Sequence, residues 1–150
     1  MAASRDKRVK QKYDPKTPQV RSIQNPEAFE NSSPSWCFRT CDKELWTFSA
    51  DDFMKEILPK LKEWETQTWG EILIRAKKQN HSIDAEKLNK IARDRLTSLR
   101  IEVGAVVSLR MSGTRRLYGY RIGSVFYILW YDPNHGDNDT CVCRSRKKMT

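Results

Sequence analysis

Arginines and tyrosines are concentrated in one stretch near the end of the chain. The stretch contains Arg110, Arg115, Arg116, Tyr118, Tyr120 and Arg121. No Asp or Glu occurs between Gly104 and Tyr131. Guanidinium groups donate paired hydrogen bonds to phosphate oxygens, and tyrosine rings stack on nucleic-acid bases. The pattern predicts a phosphate-binding face. The alternative is a solvated strand face whose tyrosines pack against a helix.

A histidine, His135, follows this stretch directly after Asp132-Pro133-Asn134. Its imidazole, or a tyrosine with a lowered pKa such as Tyr118, could accept or donate a proton. A histidine in such a turn is also often a plain turn residue that is hydrogen-bonded to the backbone. Tyr118 and His135 are therefore candidate acid–base residues. The candidate nucleic-acid-binding residues are Arg110, Arg115, Tyr120, Arg144, Arg146, Lys147 and Lys148.

The four cysteines form two pairs that are far apart in the sequence: Cys37 with Cys41, and Cys141 with Cys143. If the two pairs met, four thiolates would form a closed structural zinc site. Neither spacing is that of the usual zinc knuckle, so reduced, partly buried thiols are the alternative. No other cofactor is expected, because the sequence contains no phosphate-loop, dinucleotide-binding or zincin motif.

The elements that position these residues are predicted from periodicity. From Val106 the period is two, with Val107, Leu109 and Met111 on one face and Ser108 and Arg110 on the other. Turns at 112–114 and 122–124 separate three strands, and alternation places Arg116, Tyr118 and Tyr120 on the face opposite Arg115, Leu117, Gly119 and Arg121. The run 125–131 is apolar on both faces, which indicates an interior strand. Residues 140–143 are expected to form a short last strand.

The preceding half of the chain is predicted to be a hairpin followed by helices. The hairpin covers residues 36–48. Ser49 is the expected N-cap of a helix that Pro59 kinks or splits. A second helical patch at 69–76 leads into a polar loop that contains His81. Asp84 is then expected to cap a third helix, with Leu88, Ile91, Ala92, Leu96 and Leu99 along one face.

These elements predict an α+β fold in which two or three helices cover one face of an antiparallel meander of three or four strands. A length of 150 residues suits one domain, which we expect to span residues 36–150. Residues 1–35 are rich in basic residues and proline and are expected to form a flexible basic arm.

The excess positive charge lies at the two ends of the chain. The net charge is +9, yet residues 22–139 contain 17 basic and 17 acidic residues. Basic ends favour polyanions through counterion release, although they also serve as solubilising tails. The sequence has no membrane-spanning stretch and no signal peptide, so we expect a cytoplasmic protein without a membrane partner.

The segment SLRMSGTRRLYGYRIGSVFYILWYDPNH resembles the core of the RelE/ParE/HigB toxin superfamily. The resemblance extends over about residues 84–148, including the preceding helix. It implies a RelE/ParE-like fold, toxin–antitoxin biology and, for the ribonuclease members, metal-independent cleavage of messenger RNA. Arg116 and Arg121 match the family's strand arginines, Arg146, Lys147 and Lys148 its basic C-terminal end, and His135 lies near a functional position. The resemblance implies that Arg116, Tyr118, Arg121 and His135 are catalytic. His135 or a tyrosine would activate a ribose 2′-hydroxyl or protonate the leaving oxygen, and the arginines would stabilise the charged phosphorane. No second histidine or tyrosine follows as an acid–base partner.

The leading hypothesis is a toxin-type endoribonuclease or translation inhibitor that contacts RNA or ribosome-bound RNA and has an antitoxin-like protein partner. A second hypothesis is a non-enzymatic module of phage or mobile-element type that binds a nucleic acid or a protein on the same scaffold. A third is an interaction domain that docks a protein through exposed tryptophans, namely Trp36, Trp46, Trp64 and Trp69.

Overall fold

The computed structural model describes residues 29–136 and 140–143. These residues contain one five-stranded sheet, which is formed by β1 (Ser35–Cys37), β2 (His81–Asp84), β3 (Ala105–Ser112), β4 (Arg115–Ile122) and β5 (Val125–Asp132). The spatial order is β1-β5-β4-β3-β2. β1 pairs with β5 in parallel and the other neighbours are antiparallel, so the sheet is mixed. The predicted α+β class is confirmed.

The predicted meander is confirmed as β3, β4 and β5. Both turns contain a glycine with positive φ, Gly113 at 51° and Gly123 at 63°, a conformation that L side chains rarely adopt. β5 lies between β1 and β4 and is buried on both faces, as its apolar run predicts. Residues 140–143 contribute a single bridge, Cys143 to Leu88, instead of the short strand that was expected.

The predicted N-terminal hairpin is wrong. β1 pairs with β5, and the chain after it follows the β5 edge, where the Asp42 amide donates to the Leu129 carbonyl and the Tyr131 amide to that of Trp46. The Trp36 ring packs 5.8 Å from that of Phe126, between centroids, and 6.0 Å from that of Trp64. The Trp36 side chain is therefore packed against β5 and a helix. This packing decides the position of β1, in place of the hairpin that the alternating pattern predicted.

The first helical stretch begins where it was predicted. It comprises α1 (Ala50–Asp52), a π-helical turn (Phe53–Ile57) and α2 (Leu58–Trp64). Ser49 and Asp52 form a reciprocal capping box. The expected irregularity at Pro59 is a π-helical turn directly before it, in which the Leu58 amide donates to the Phe53 carbonyl five residues back.

The later helices differ from the prediction. A π-helical turn spans Glu71–Arg75 and a 3₁₀ turn spans Ala85–Lys87, while α3 covers only Lys90–Ser98. Asn89, whose side chain accepts from the Ile91 amide, is the N-cap of α3 in place of Asp84. Asp84 instead ends β2, in the segment that was expected to be a polar loop. Ile91, expected on the buried face, is 50% exposed.

Helices cover both faces of the sheet, so the prediction of a single covered face is wrong. One apolar cluster joins the helical stretches at 50–64 and 69–75 to the sheet; its buried members include Ile57, Leu61, Trp64, Trp69, Ile72, Leu109, Leu117, Phe126 and Ile128. The other joins α3 to the opposite face through Leu88, Ala92, Leu96, Val106, Tyr118, Leu129, Trp130 and Val142. Trp64 and Trp69 are core residues, which removes them from the predicted protein-docking surface.

The end of the predicted basic arm packs on the domain. The Trp69 and Gly70 amides donate to the carbonyls of Ser32 and Glu30, both from the segment assigned to the arm. Residues 1–28 of that arm lie outside the described residues. No helix within the described ranges is long and apolar enough to cross a membrane.

Candidate functional site

Strands β2 to β5 place polar side chains together on one face, at the end of the sheet near the β3–β4 turn. His81 pairs with Ser108, Arg110 with Arg116, and Arg116 with Asp132. Residues paired directly across antiparallel strands lie on the same face. The loop after β5 adds His135, and the last described segment adds Cys143. We call His81, Arg110, Arg116, Asp132, His135 and Cys143 the polar corner.

The two arginines of the polar corner are held differently. The Arg116 guanidinium donates to the carbonyls of Gly113 (2.7 Å) and Arg115 (3.1 Å), so it is tied to the β3–β4 turn. Burial, and then the charge of Arg110, lower the pKa of Arg116. The Arg110 side chain is exposed, while its amide is bound by the buried Asn80 side chain at 2.8 Å. The Arg116 guanidinium is thus oriented by the turn, whereas the Arg110 side chain is exposed to solvent.

Asp132 is buried under the polar corner and organises its backbone. Its two carboxylate oxygens accept the amides of Asn134 (2.9 Å) and Val142 (2.8 Å). Burial raises the pKa of Asp132, although these two hydrogen bonds act in the opposite direction. Because both oxygens are used by backbone donors, we assign Asp132 a structural role.

His135 is positioned by the β3–β4 turn and by a thiol. Its amide donates to the Thr114 carbonyl at 2.9 Å, and the Thr114 hydroxyl donates to the Pro133 carbonyl at 2.6 Å. Its ring Nδ1 lies 3.4 Å from the Cys143 Sγ. The sequence left open whether His135 is a plain turn residue or a catalytic one, and the structure is compatible with both roles. The turn fixes the His135 backbone, while the half-buried ring remains partly accessible.

His81 is the polar-corner residue that supplies a second imidazole. It is the first residue of β2, and its side chain is exposed. Partial desolvation of the ring, and then the neighbouring His135 and Arg116, lower the pKa of His81, although the Cys143 sulfur acts in the opposite direction. The lowered pKa favours the neutral form of the ring, which is the form that can accept a proton.

Tyr118 is not available as a catalytic residue, which corrects the prediction. It is fully buried, and burial raises its pKa far above the usual range. Its hydroxyl and that of the paired Ser108 are both buried without a well-formed hydrogen bond to any described group. Tyr118 instead packs in the apolar cluster below α3, as the alternative interpretation held.

Three other predicted site residues lie away from the polar corner. The Arg121 guanidinium lies 5.0 Å from the Trp69 ring centroid on the opposite face, and Arg115 forms a 3.8 Å ion pair with Glu56 there. Tyr120 shares the face of Arg116 but stacks on Tyr127, near the other end of β4. Arg115 and Arg121 thus lie on the face opposite Arg116, as the predicted alternation of β4 requires, so the predicted phosphate-binding face does not contain all four arginines.

The cysteine pairs do not meet in a zinc site. Cys37 pairs with Tyr127 in the first half of β5, whereas Cys141 and Cys143 lie beside the residues that follow Asp132. No group of three or more His, Cys, Asp or Glu within residues 29–136 and 140–143 is arranged to hold a metal ion. The basic C-terminal candidates Arg144, Arg146, Lys147 and Lys148 lie outside the described residues.

Sequence reasoning missed His81 as a site residue, and it considered Cys143 only as a candidate zinc ligand. His81 starts the polar segment His81-Ser82-Ile83-Asp84, in which a single apolar residue gives little evidence of alternation. Its nearness to Arg110 depends on pairing between β2 and β3 across more than 20 residues of chain. Such long-range pairing is the part of the site that local patterns do not contain.

No protein-family model, no curated protein and no solved structure matches the chain.

Proposed function

We propose that the protein is a RelE/ParE-like, metal-independent endoribonuclease that binds and cleaves RNA at the polar corner. The observation that supports this proposal best is the grouping of His81, Arg110, Arg116 and His135, two imidazoles and two guanidiniums, on one face. The sequence resemblance over about residues 84–148 also supports the proposal. Arg121 and Tyr118 have no part in this version of the site.

The proposed reaction is attack of a ribose 2′-oxygen on the adjacent phosphorus with release of the 5′-oxygen. His81, whose pKa is lowered, accepts the 2′-hydroxyl proton. His135 donates a proton to the leaving 5′-oxygen through Nε2, since Nδ1 lies against Cys143. Arg116 and Arg110 stabilise the additional negative charge on the phosphorane. The products are a 2′,3′-cyclic phosphate and a 5′-hydroxyl.

The test is cleavage of a short single-stranded RNA in excess chelator by the purified protein and four variants: His81→Ala, His135→Ala, Arg110→Ala and Arg116→Ala. Loss of one acid–base group is expected to lower the cleavage rate by about 10²-fold or more. Loss of one arginine is expected to lower it by about 10-fold to 10³-fold. The control Arg75→Ala removes an equally charged, exposed residue elsewhere and should leave the rate unchanged.

An RNA with a single 2′-deoxynucleotide at the cleavage position checks the chemistry, since it lacks the proposed nucleophile and should stay intact. Absence of cleavage, or cleavage that survives both histidine substitutions, would contradict the ribonuclease proposal. Salt-dependent RNA binding without turnover would favour the second hypothesis, a non-enzymatic binding module that uses the same two arginines.

A further inference from the structure

The segment Cys141-Val142-Cys143 is held rigidly beside the polar corner. The Val142 amide donates to the Asp132 carboxylate at 2.8 Å, and its carbonyl accepts the Asn89 amide at 2.9 Å. Val142 itself is fully buried. Because the middle residue is fixed on both sides, the two flanking cysteines point in a defined common direction.

The two thiols lie within reach of each other and differ in exposure. The Cys141 and Cys143 sulfurs are 3.1 Å apart, and both cysteines are free. Cys141 is completely buried, whereas Cys143 is half-buried. A disulfide needs about 2.05 Å between sulfurs, so a shift of about 1 Å would join them. A reagent from solvent can meet Cys143 but not Cys141.

The surroundings activate the more exposed sulfur. The hydrogen bond with Cys141 lowers the pKa of Cys143 and the adjacent His135 lowers it further, although burial acts in the opposite direction. The same hydrogen bond, together with burial, raises the pKa of Cys141. The thiolate is the reactive form of cysteine, and a thiolate beside imidazole and guanidinium groups is typical of reactive cysteines.

We propose that Cys141 and Cys143 form a redox-active dithiol that reduces small disulfides, with Cys143 as the attacking and Cys141 as the resolving cysteine. The Cys143 thiolate attacks one sulfur of the small disulfide, whose S–S bond breaks and releases one thiolate. Cys141 then attacks the Cys143 sulfur and displaces the second thiolate, which takes up the Cys141 proton as it leaves. The protein gains one disulfide, and the small disulfide gains two electrons and two protons to become two thiols.

The test is reaction of the full chain with glutathione disulfide, followed by mass spectrometry of the intact protein and of the peptide that contains both cysteines. The parent protein is expected to lose two hydrogens through a Cys141–Cys143 disulfide and to retain no glutathione. The Cys141→Ser variant is expected to retain one glutathione on Cys143, because the resolving thiol is gone. The Cys143→Ser variant is expected to react at least about tenfold more slowly.

Cys37→Ser is the matched control, since it removes another half-buried free cysteine and should leave the Cys141–Cys143 reaction unchanged. Two results would overturn the proposal: a Cys143→Ser variant that reacts at the parental rate, or a Cys141→Ser variant that acquires no glutathione on Cys143. Far-ultraviolet circular dichroism checks that each variant is folded. The assay contains no RNA, so its outcome is independent of the proposed ribonuclease activity.

Discussion

Asp42 is the residue that ties the irregular segment after β1 to the rest of the domain. Its carboxylate accepts from Arg95 on α3 (2.7 and 2.8 Å) and from the Trp130 indole on β5 (3.0 Å). The amides of Glu44 and Leu45 also donate to it. Its side chain is fully buried, so this one residue joins a loop, a helix and a strand.

Replacement of Asp42 by alanine is expected to lower the free energy of unfolding by about 3–5 kcal/mol. The physical reason is that the Trp130 indole and two backbone amides lose their buried acceptor, while Arg95 keeps only the exposed Glu44 carboxylate, 3.7 Å away. Urea unfolding followed by tryptophan fluorescence measures the change. The control Glu44→Ala removes the other carboxylate that pairs with Arg95, and this carboxylate is 75% exposed. It should lower the free energy of unfolding by less than about 1 kcal/mol. Equal effects of the two substitutions would contradict the assigned role of Asp42.

The same carboxylate is expected to make stability fall in acid. Burial raises the pKa of Asp42, but the hydrogen bonds from Arg95, Trp130 and two amides outweigh it and hold the pKa well below its usual range. A folded-state pKa below the unfolded-state value stabilises the protein above about pH 4, and this stability is lost as the pH falls towards the folded-state pKa. Urea midpoints between pH 7 and pH 2 should fall more steeply for the parent than for Asp42→Asn, since the amide cannot titrate.

At the scale of elements, the contact of β4 with β5 depends on a glycine. The pairing shifts between Tyr118 and Gly119, so that Leu129 and Trp130 both lie on the α3 face. A β-carbon on Gly119 would collide with the Tyr127 carbonyl oxygen and approach the Phe126 ring to 2.7 Å. The irregularity therefore needs a residue without a side chain, which is a typical use of glycine in strands.

Substitution of Gly119 by alanine is expected to destabilise the fold by about 2–3 kcal/mol, because a backbone carbonyl in the middle of the sheet cannot move aside cheaply. The matched control is Gly104→Ala, where an added β-carbon meets nothing within 4 Å. The control should change the free energy of unfolding by less than about 0.5 kcal/mol. Chemical denaturation of both variants compares them directly, and a Gly119→Ala protein as stable as its control would refute the proposed close packing.

The elements that could be predicted from the sequence are those whose signals are local. Two-residue turns with glycine, period-two alternation and the Ser49 cap fix β3, β4, β5 and the start of the first helix. β1 and β2 could not be predicted, because each is short and is specified by a partner far along the chain. The candidate site followed the same division: the positions of Arg110, Arg116 and His135 were accessible from local patterns, and the contribution of His81 was not.

At the scale of the whole molecule, helices on both faces limit where the sheet can meet a large ligand. One face lies under residues 50–64 and 69–75, and α3 lies on the other face against Val106, Leu129 and Trp130. The polar corner lies at the end of this second face, where His81 and Arg110 are exposed. The excess positive charge of the chain falls at the two ends of the sequence, with seven basic residues among residues 1–21. If the proposed function is correct, RNA binding combines the polar corner with a separate basic segment.

These two contributions should separate in the salt dependence of RNA affinity. Each phosphate neutralised on a single strand adds about 0.7 to the slope of log K against log salt concentration. Arg110→Ala and Arg116→Ala are each expected to reduce that slope by about 0.7 and, in the proposed site, to lower cleavage as well. Deletion of residues 1–21 is expected to reduce the slope by several times about 0.7, because it removes several basic residues at once. The cleavage rate at saturating RNA concentration is expected to stay unchanged. Fluorescence anisotropy of a labelled RNA from 50 to about 300 mM salt measures both effects, with Arg75→Ala as the charge control. If the deletion abolishes the slope completely and the two arginine variants bind like the parent, the polar corner does not contact RNA.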